Sequence, residues 1–124
     1  VPSNFLKKHK HNLVVHESDL PQGKGWAPLF RQILEGKNEI TITLFEAVEK
    51  ADAGDIYLQD KIVLSGYELH DEIREIQAQK TIELCKRFLT EKPQPRPQKG
   101  KSSYYPKRTP LDSKLDINKS IKEQ

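Results

Sequence analysis

With 124 residues the chain is long enough for one domain at most, and none of its apolar runs approaches the length of a membrane span. It is 35% hydrophobic and 31% charged, with the apolar pattern concentrated in residues 1–91 and a Pro-, Lys-, Ser- and Asp-rich remainder in residues 92–124. The net charge of +3 comes with two short basic clusters (Lys7, Lys8 and Lys10; Lys99, Lys101, Lys107 and Arg108), which lack the dense stripe of a nucleic-acid binder and read as solvated surface.

Residues 2–10 predict a short helix, with Pro2 in its first turn and Phe5 and Leu6 docking on a core. Leu13, Val14 and Val15 form an apolar run ended by His16, which suits a strand buried on both faces, as in a parallel sheet. Pro21, Gly23 and Gly25 mark residues 17–26 as loop. A helix is predicted from Pro28 to Gly36, with Leu29, Ile33 and Leu34 as its stripe and Gly36 as its cap. Ile40, Ile42 and Leu44 alternate as in a strand. Residues 47–54 are a second loop, and residues 56–64 one further strand or a bent pair.

The longest element is a helix over about residues 67–90, with Leu69, Ile73, Ile76, Leu84 and Phe88 near the helical period. Cys85 lies within it and reads as a small core residue. A lone cysteine cannot form an internal disulfide, which fits a reducing, cytoplasmic setting. Pro93, Pro95 and Pro97 end regular structure, so residues 93–110 are expected to be a disordered, extended linker. Residues 116–123 could begin another helix.

The order strand, helix, strand, strand, long helix is an α/β pattern, expected to form a three-layer unit around a mostly parallel sheet. Two or three strands make a poor independent sheet. Neighbouring strands are therefore expected from a segment preceding Val1, and the 124 residues alone are expected to be inactive.

Two loops carry the candidate chemistry. His16 ends a strand, and Asp52 lies beside Gly54. In open α/β sheets ligands bind beyond the carboxyl ends of the strands, where such loops meet. Imidazole exchanges protons near neutrality and a carboxylate can orient it, so the two form a candidate acid/base pair. His9, His11 and His16 lack a closing ligand and sit among lysines, so no metal is expected. Gly23-Lys24-Gly25 is too short for a phosphate loop and reads as a turn, although Lys24 could reach a phosphate. Tyr57 and Gln59 read as strand packing, and His70 as exposed surface.

Taken in order, these segments resemble the formyltransferase family. His16-Glu17-Ser18-Asp19-Leu20-Pro21 resembles its His-x-Ser-Leu-Leu-Pro signature, and Gly23-Lys24-Gly25-Trp26-Ala27-Pro28 its Arg-Gly-x-x-Pro turn into a helix. Ile33-Leu34-Glu35-Gly36-Lys37-Asn38 is similar to its helix end, Ile42-Thr43 to its Val-Thr strand, and Asp52-Ala53-Gly54-Asp55-Ile56 to its Asp-x-Gly-x-Ile/Val element. The resemblance spans roughly residues 13–89, with a weaker likeness at Ser102-Ser103-Tyr104-Tyr105-Pro106-Lys107.

The resemblance implies that residues 1–91 are the C-terminal half of a Rossmann-like formyltransferase catalytic domain, and that residues 92–124 are a linker and the start of a C-terminal segment. It implies formyl transfer from 10-formyltetrahydrofolate to a primary amine of a nucleotide-linked amino sugar or of methionyl-tRNA. The Glu17, Asp19 and Lys24-Gly25-Trp26 variants are closer to the bacterial surface-sugar branch. His16 and Asp52 would be catalytic. Thr43, Glu49, Ala51 and Asp52 would lie on the folate loop, and Ser18, Asp19, Lys24 and Trp26 near the acceptor. The family usually has Asn two residues before the His, where this chain has Val14. Either another group, such as Ser18, replaces that oxyanion donor, or the chain is a non-catalytic relative that binds folate or a nucleotide sugar.

Overall fold

The computed structural model describes residues 2–106. The first helix, α1, is only Ser3–Leu6. Strand β1 is Leu13–His16 and β2 is Lys24–Gly25, followed by α2 over Pro28–Leu34. Strands β3, Glu39–Glu46, and β4, Ile56–Val63, come next. Helix α3 spans His70–Glu91, and β5 is Tyr104–Tyr105. The expected helix over residues 116–123 lies outside the described residues.

Helix α2 starts and stops where the sequence says it should. Pro28 occupies its first turn, where a missing N–H costs nothing. At the other end Gly36 adopts φ 87°, its N–H reaches the Ile33 carbonyl at 2.9 Å, and Lys37 N–H reaches the Gln32 carbonyl at 3.0 Å. These two bonds are the Schellman closure that a left-handed glycine permits. Leu29 and Ile33 turn inward, whereas Leu34 is exposed. In α3 the inward residues are Ile73, Ile76, Leu84 and Phe88. Leu69 lies before the helix and is exposed. Cys85 is exposed too, contrary to the core reading, because one residue beyond the buried Leu84 is about 100° further round the helix.

The main sheet has the order β1-β3-β4 and is antiparallel throughout, which corrects the mostly parallel expectation for this stretch. Among the described residues only the two-residue pair β2 and β5 runs parallel. The apolar run of β1 is covered on both sides, but by different means. Leu13 and Val15 face a core shared by Ile40, Ile42, Leu44 and both longer helices, while Val14 faces Leu20, Phe45 and Ile56. Burial on two faces therefore does not require parallel neighbours here. Both helices feed one core, so the described residues form a helix layer and a sheet layer, with loops over the second face.

A register shift between Leu44 and Phe45 places Leu58 opposite Leu44 but Ile56 opposite Phe45. The extra residue is Tyr57. Side chains alternate along a strand, so this bulge turns Ile56 to the loop side and Tyr57 to the helix side. Ile56 is then buried with Phe45, and Tyr57 meets Phe88 with ring centroids 4.9 Å apart.

Residues 93–106 depart from the expected disordered linker, whose last four residues, 107–110, lie outside the described residues. Arg96 and Ile56 exchange backbone hydrogen bonds of 2.9 and 2.7 Å. Further on, Lys24 N–H donates to Ser103 and Trp26 N–H to the Tyr105 carbonyl, at 2.9 and 3.1 Å. Arg31 reaches the Pro106 carbonyl at 2.8 Å. Backbone groups on both sides find partners, which orders a segment that has few apolar side chains. No helix among the described residues is long and apolar enough to cross a membrane.

Candidate active site

His16 and Thr43 are directly paired across β1 and β3, on the sheet face covered by loops. His16 is buried at 6% exposure. Its Nε2 lies 2.7 Å from the Gly23 carbonyl. A carbonyl only accepts, so Nε2 carries the proton. The other ring nitrogen, Nδ1, faces Asp52, with Oδ1 at 3.8 Å. That separation is beyond hydrogen-bond length but within ion-pair reach.

Asp52 is held from two sides. Its Oδ2 accepts from Gly25 N–H at 2.9 Å. Its carbonyl accepts from Gln98 Nε2 at 2.7 Å. Its backbone adopts φ 55°, a left-handed conformation uncommon for residues with a Cβ but one that Asp tolerates better than most. The His and the Asp are thus both fixed by the strand β2 and its preceding glycine, the His through the Gly23 carbonyl and the Asp through the Gly25 amide. Gly25 has φ 100°, and a Cβ there would stand 2.3 Å from the Tyr105 carbonyl oxygen. Glycine is required at this point for the strand to approach β5 so closely.

The remaining candidate residues separate into distinct places. Thr43 is fully buried; its hydroxyl donates to the Ser18 carbonyl at 2.7 Å and accepts from Gln59 Nε2 at 3.0 Å. It therefore ties the His16 loop to the sheet and presents no free hydroxyl to a ligand. Gln59 is part of this polar network rather than simple packing, since it also donates to Asp19 at 3.1 Å and accepts from Arg96 at 2.6 Å. Glu49 and Ala51 are on the exposed rim of the loop that ends at Asp52.

Ser18 is buried, and its hydroxyl has no hydrogen-bond partner among the described residues. Ser18 and Asp19 line a polar cleft of about 310 Å³ with Gln22, Gln32, Thr41 and Ser103. Lys24 is buried with its ammonium 5.7 Å from the centre of the Tyr104 ring, and Trp26, two residues on, is 55% exposed. Neither lines that cleft. Val14 packs among apolar side chains, and Asn12 does not replace the missing amide, because its Nδ2 donates to the Leu6 carbonyl at 3.0 Å. No three His, Cys, Asp or Glu side chains are grouped to hold a metal ion among the described residues.

Sequence reasoning missed the contributions from the tail. Gln98 holds the loop of Asp52, and Ser103 Oγ accepts from Gly23 N–H at 2.7 Å. Tyr105 donates to Glu35 at 2.8 Å, and burial and that carboxylate push its hydroxyl up to about 12. The weak likeness at residues 102–107 was the single signal for this part, and nothing marked Gln98.

Comparison with known proteins bears on this geometry. Residues 1–87 match the family model described as formyl transferase. Methionyl-tRNA formyltransferase of Coprothermobacter proteolyticus is 33% identical over 124 residues, covering 96% of this chain and 41% of the relative. The chain thus spans well under half the length of that relative. Among solved structures, methionyl-tRNA formyltransferase from Clostridium thermocellum superposes with a TM-score of 0.83 at 24% identity, covering 99% of this chain and 53% of the other. The formyltransferase PseJ from Anoxybacillus kamchatkensis, solved with UDP-4,6-dideoxy-4-formamido-L-AltNAc and tetrahydrofolate, gives 0.64 at 19% identity over 86% of this chain and 58% of the other. At these identities the two structures establish the shared fold.

Proposed function

From a chain that belongs to the formyl transferase family, we propose a full-length protein that moves a formyl group from 10-formyltetrahydrofolate to a primary amine. The amine is carried by a nucleotide-linked amino sugar or by methionyl-tRNA. The observation that carries this reading is the buried His16 facing Asp52 at 3.8 Å, both held by backbone groups of residues 23–25.

In this reaction the neutral amine attacks the formyl carbon and a tetrahedral oxyanion forms. Collapse breaks the bond from that carbon to N10 of the folate, and the proton released by the amine ends on that nitrogen. His16 Nε2–H, which the Gly23 carbonyl holds in the free protein, is the donor to the oxyanion. Asp52 orients the ring and passes the proton through water; its side chain is 17% exposed against 8% for His16, so water reaches the carboxylate more easily. The stretch of residues 43–52, the end of β3 and the loop after it, takes the pterin mainly through backbone groups, with Glu49 and Ala51 on its rim and Thr43 anchoring it from inside. Ser18, Asp19, Lys24 and Trp26 serve the acceptor, with Lys24 supplying positive charge for a phosphate. The similarity to a methionyl-tRNA formyltransferase, and to a formyltransferase solved with a UDP-linked sugar and tetrahydrofolate, supports these classes of acceptor and donor.

Val14 favours one second reading, a protein that binds folate or a nucleotide sugar without transfer. Its side chain packs with Leu20, Phe45 and Ile56 and donates no hydrogen bond. Incubating the full-length protein with 10-formyltetrahydrofolate and both acceptor classes separates the two. A formylated amine is the expected product; folate binding with no product on either acceptor favours the second reading.

A further inference from the structure

We propose that Gln98 is a positioning residue for Asp52, so that the segment after α3 belongs to the working site rather than serving as a tether. The proposal rests on the reading of Asp52 given above. Gln98 Nε2 donates to the Asp52 carbonyl at 2.7 Å and to the Gly54 carbonyl at 2.9 Å. Two carbonyls facing one amide nitrogen fix its orientation, since the flipped amide would set oxygen against oxygen. The outward atom, Oε1, is buried and has no hydrogen-bond partner among the described residues. The side chain therefore keeps this orientation for its two donor bonds alone.

Those bonds fall where the loop most needs them. Asp52 sits at φ 55°, and its carboxylate is tied to Gly25 N–H on the opposite side. Gly54 is pressed against the Glu46 carbonyl. Gln98 clamps the two carbonyls that flank Ala53, and so sets the direction in which the Asp52 side chain leaves the backbone. It is itself anchored two residues earlier, where Arg96 and Ile56 exchange hydrogen bonds. Its influence on His16 passes through Asp52, whose carbonyl it holds and whose carboxylate faces the ring.

The test uses the full-length protein with Gln98→Leu and Gln98→Glu, reading formyl transfer against pH and amide hydrogen exchange over residues 50–56. In Gln98→Leu the loop exchanges faster, and kcat falls by about 10²-fold, the scale of a misplacement near 1 Å. Its KM for the acceptor stays near the wild-type value. In Gln98→Glu a carboxylate faces two carbonyls at neutral pH and transfer is lost. On acidification the protonated carboxyl donates again, and activity relative to wild type recovers, which Gln98→Leu cannot do. Loop exchange and kcat unchanged in Gln98→Leu would overturn the proposal, as would identical pH profiles for the two variants. If the wild type itself transfers no formyl group, the functional reading fails separately. The exchange arm then decides alone: faster exchange in Gln98→Leu supports the clamp and unchanged exchange overturns it.

Discussion

Gly54 packs its α-carbon against the carbonyl of Glu46, so closely that a Cβ at residue 54 would stand 1.5 Å from that oxygen. The chain leaves β3 at Glu46 and returns past the same residue, with Glu46 N–H donating to the Asp55 carbonyl at 2.9 Å. Only a residue without a side chain lets the loop fold back this tightly and bring Asp52 beside His16.

Substituting this glycine is therefore expected to cost about 3 kcal/mol or more in Gly54→Ala, since backbone rather than a flexible side chain must move. Gly36 offers the contrast. It has φ 87° but open space around it, so Gly36→Ala carries only the left-handed penalty of about 1–2 kcal/mol. Urea denaturation of the full-length variants checks the order; a larger loss in Gly36→Ala would contradict it.

Ser18→Ala removes a buried hydroxyl that has no partner among the described residues. Stability is expected to stay the same or rise slightly, because no hydrogen bond is broken and a polar atom leaves the interior. If Ser18 supplies the oxyanion donor that Val14 lacks, the same variant loses about 10²-fold in kcat with an unaltered melt. An unaltered kcat would remove Ser18 from the chemistry.

Tyr105 anchors the tail to α2 only while its hydroxyl can donate to Glu35. Its folded-state value of about 12 lies above the ordinary 10.0, so the folded chain holds this proton more tightly than the unfolded chain does. The resulting stability is fully present below pH 10 and is lost as pH rises towards 12. The difference in melting temperature between wild type and Tyr105→Phe is expected to be constant up to the lower value and to shrink above it. A difference that grows with pH would contradict the linkage.

Leu84 and Leu89 lie on the same helix with opposite burial, 0% and 73% exposed. Leu84→Ala is expected to cost about 2–5 kcal/mol through the cavity it leaves in the main core. Leu89→Ala is expected to stay within about 0.5 kcal/mol, as an exposed site should. Denaturant midpoints at constant slope check both.

Strand β3 and helix α3 are legible in the sequence because each keeps a single period over its length. Ile40, Ile42 and Leu44 alternate along one face of β3, and Ile73, Ile76, Leu84 and Phe88 mark one side of α3. Strand direction is not legible, since the run at Leu13, Val14 and Val15 is covered by helices on one side and loop residues on the other. The bulge at Tyr57 is equally silent, because an apolar residue at position 56 fits either face. His16 and Asp52 stand out through motif spacing, while their geometry depends on the carbonyl of Gly23 and the amide of Gly25, which any sequence possesses. The tail is missed for a related reason. Arg96, Gln98, Ser103 and Tyr105 bind through backbone groups and single polar side chains, and such contacts leave no periodic trace in a Pro-rich stretch.

In the proposed reaction His16 and Asp52 carry out formyl transfer on a folate loop that does not need them for binding. Comparing wild type, His16→Ala and Asp52→Asn of the full-length protein, with tetrahydrofolate binding and formyl transfer followed in the same samples, tests it most directly. Both variants are expected to bind folate as the wild type does and to lose about 10²–10⁴-fold in transfer, the range for a positioned proton-handling group. Wild-type rates of transfer in either variant, with binding intact, would contradict it.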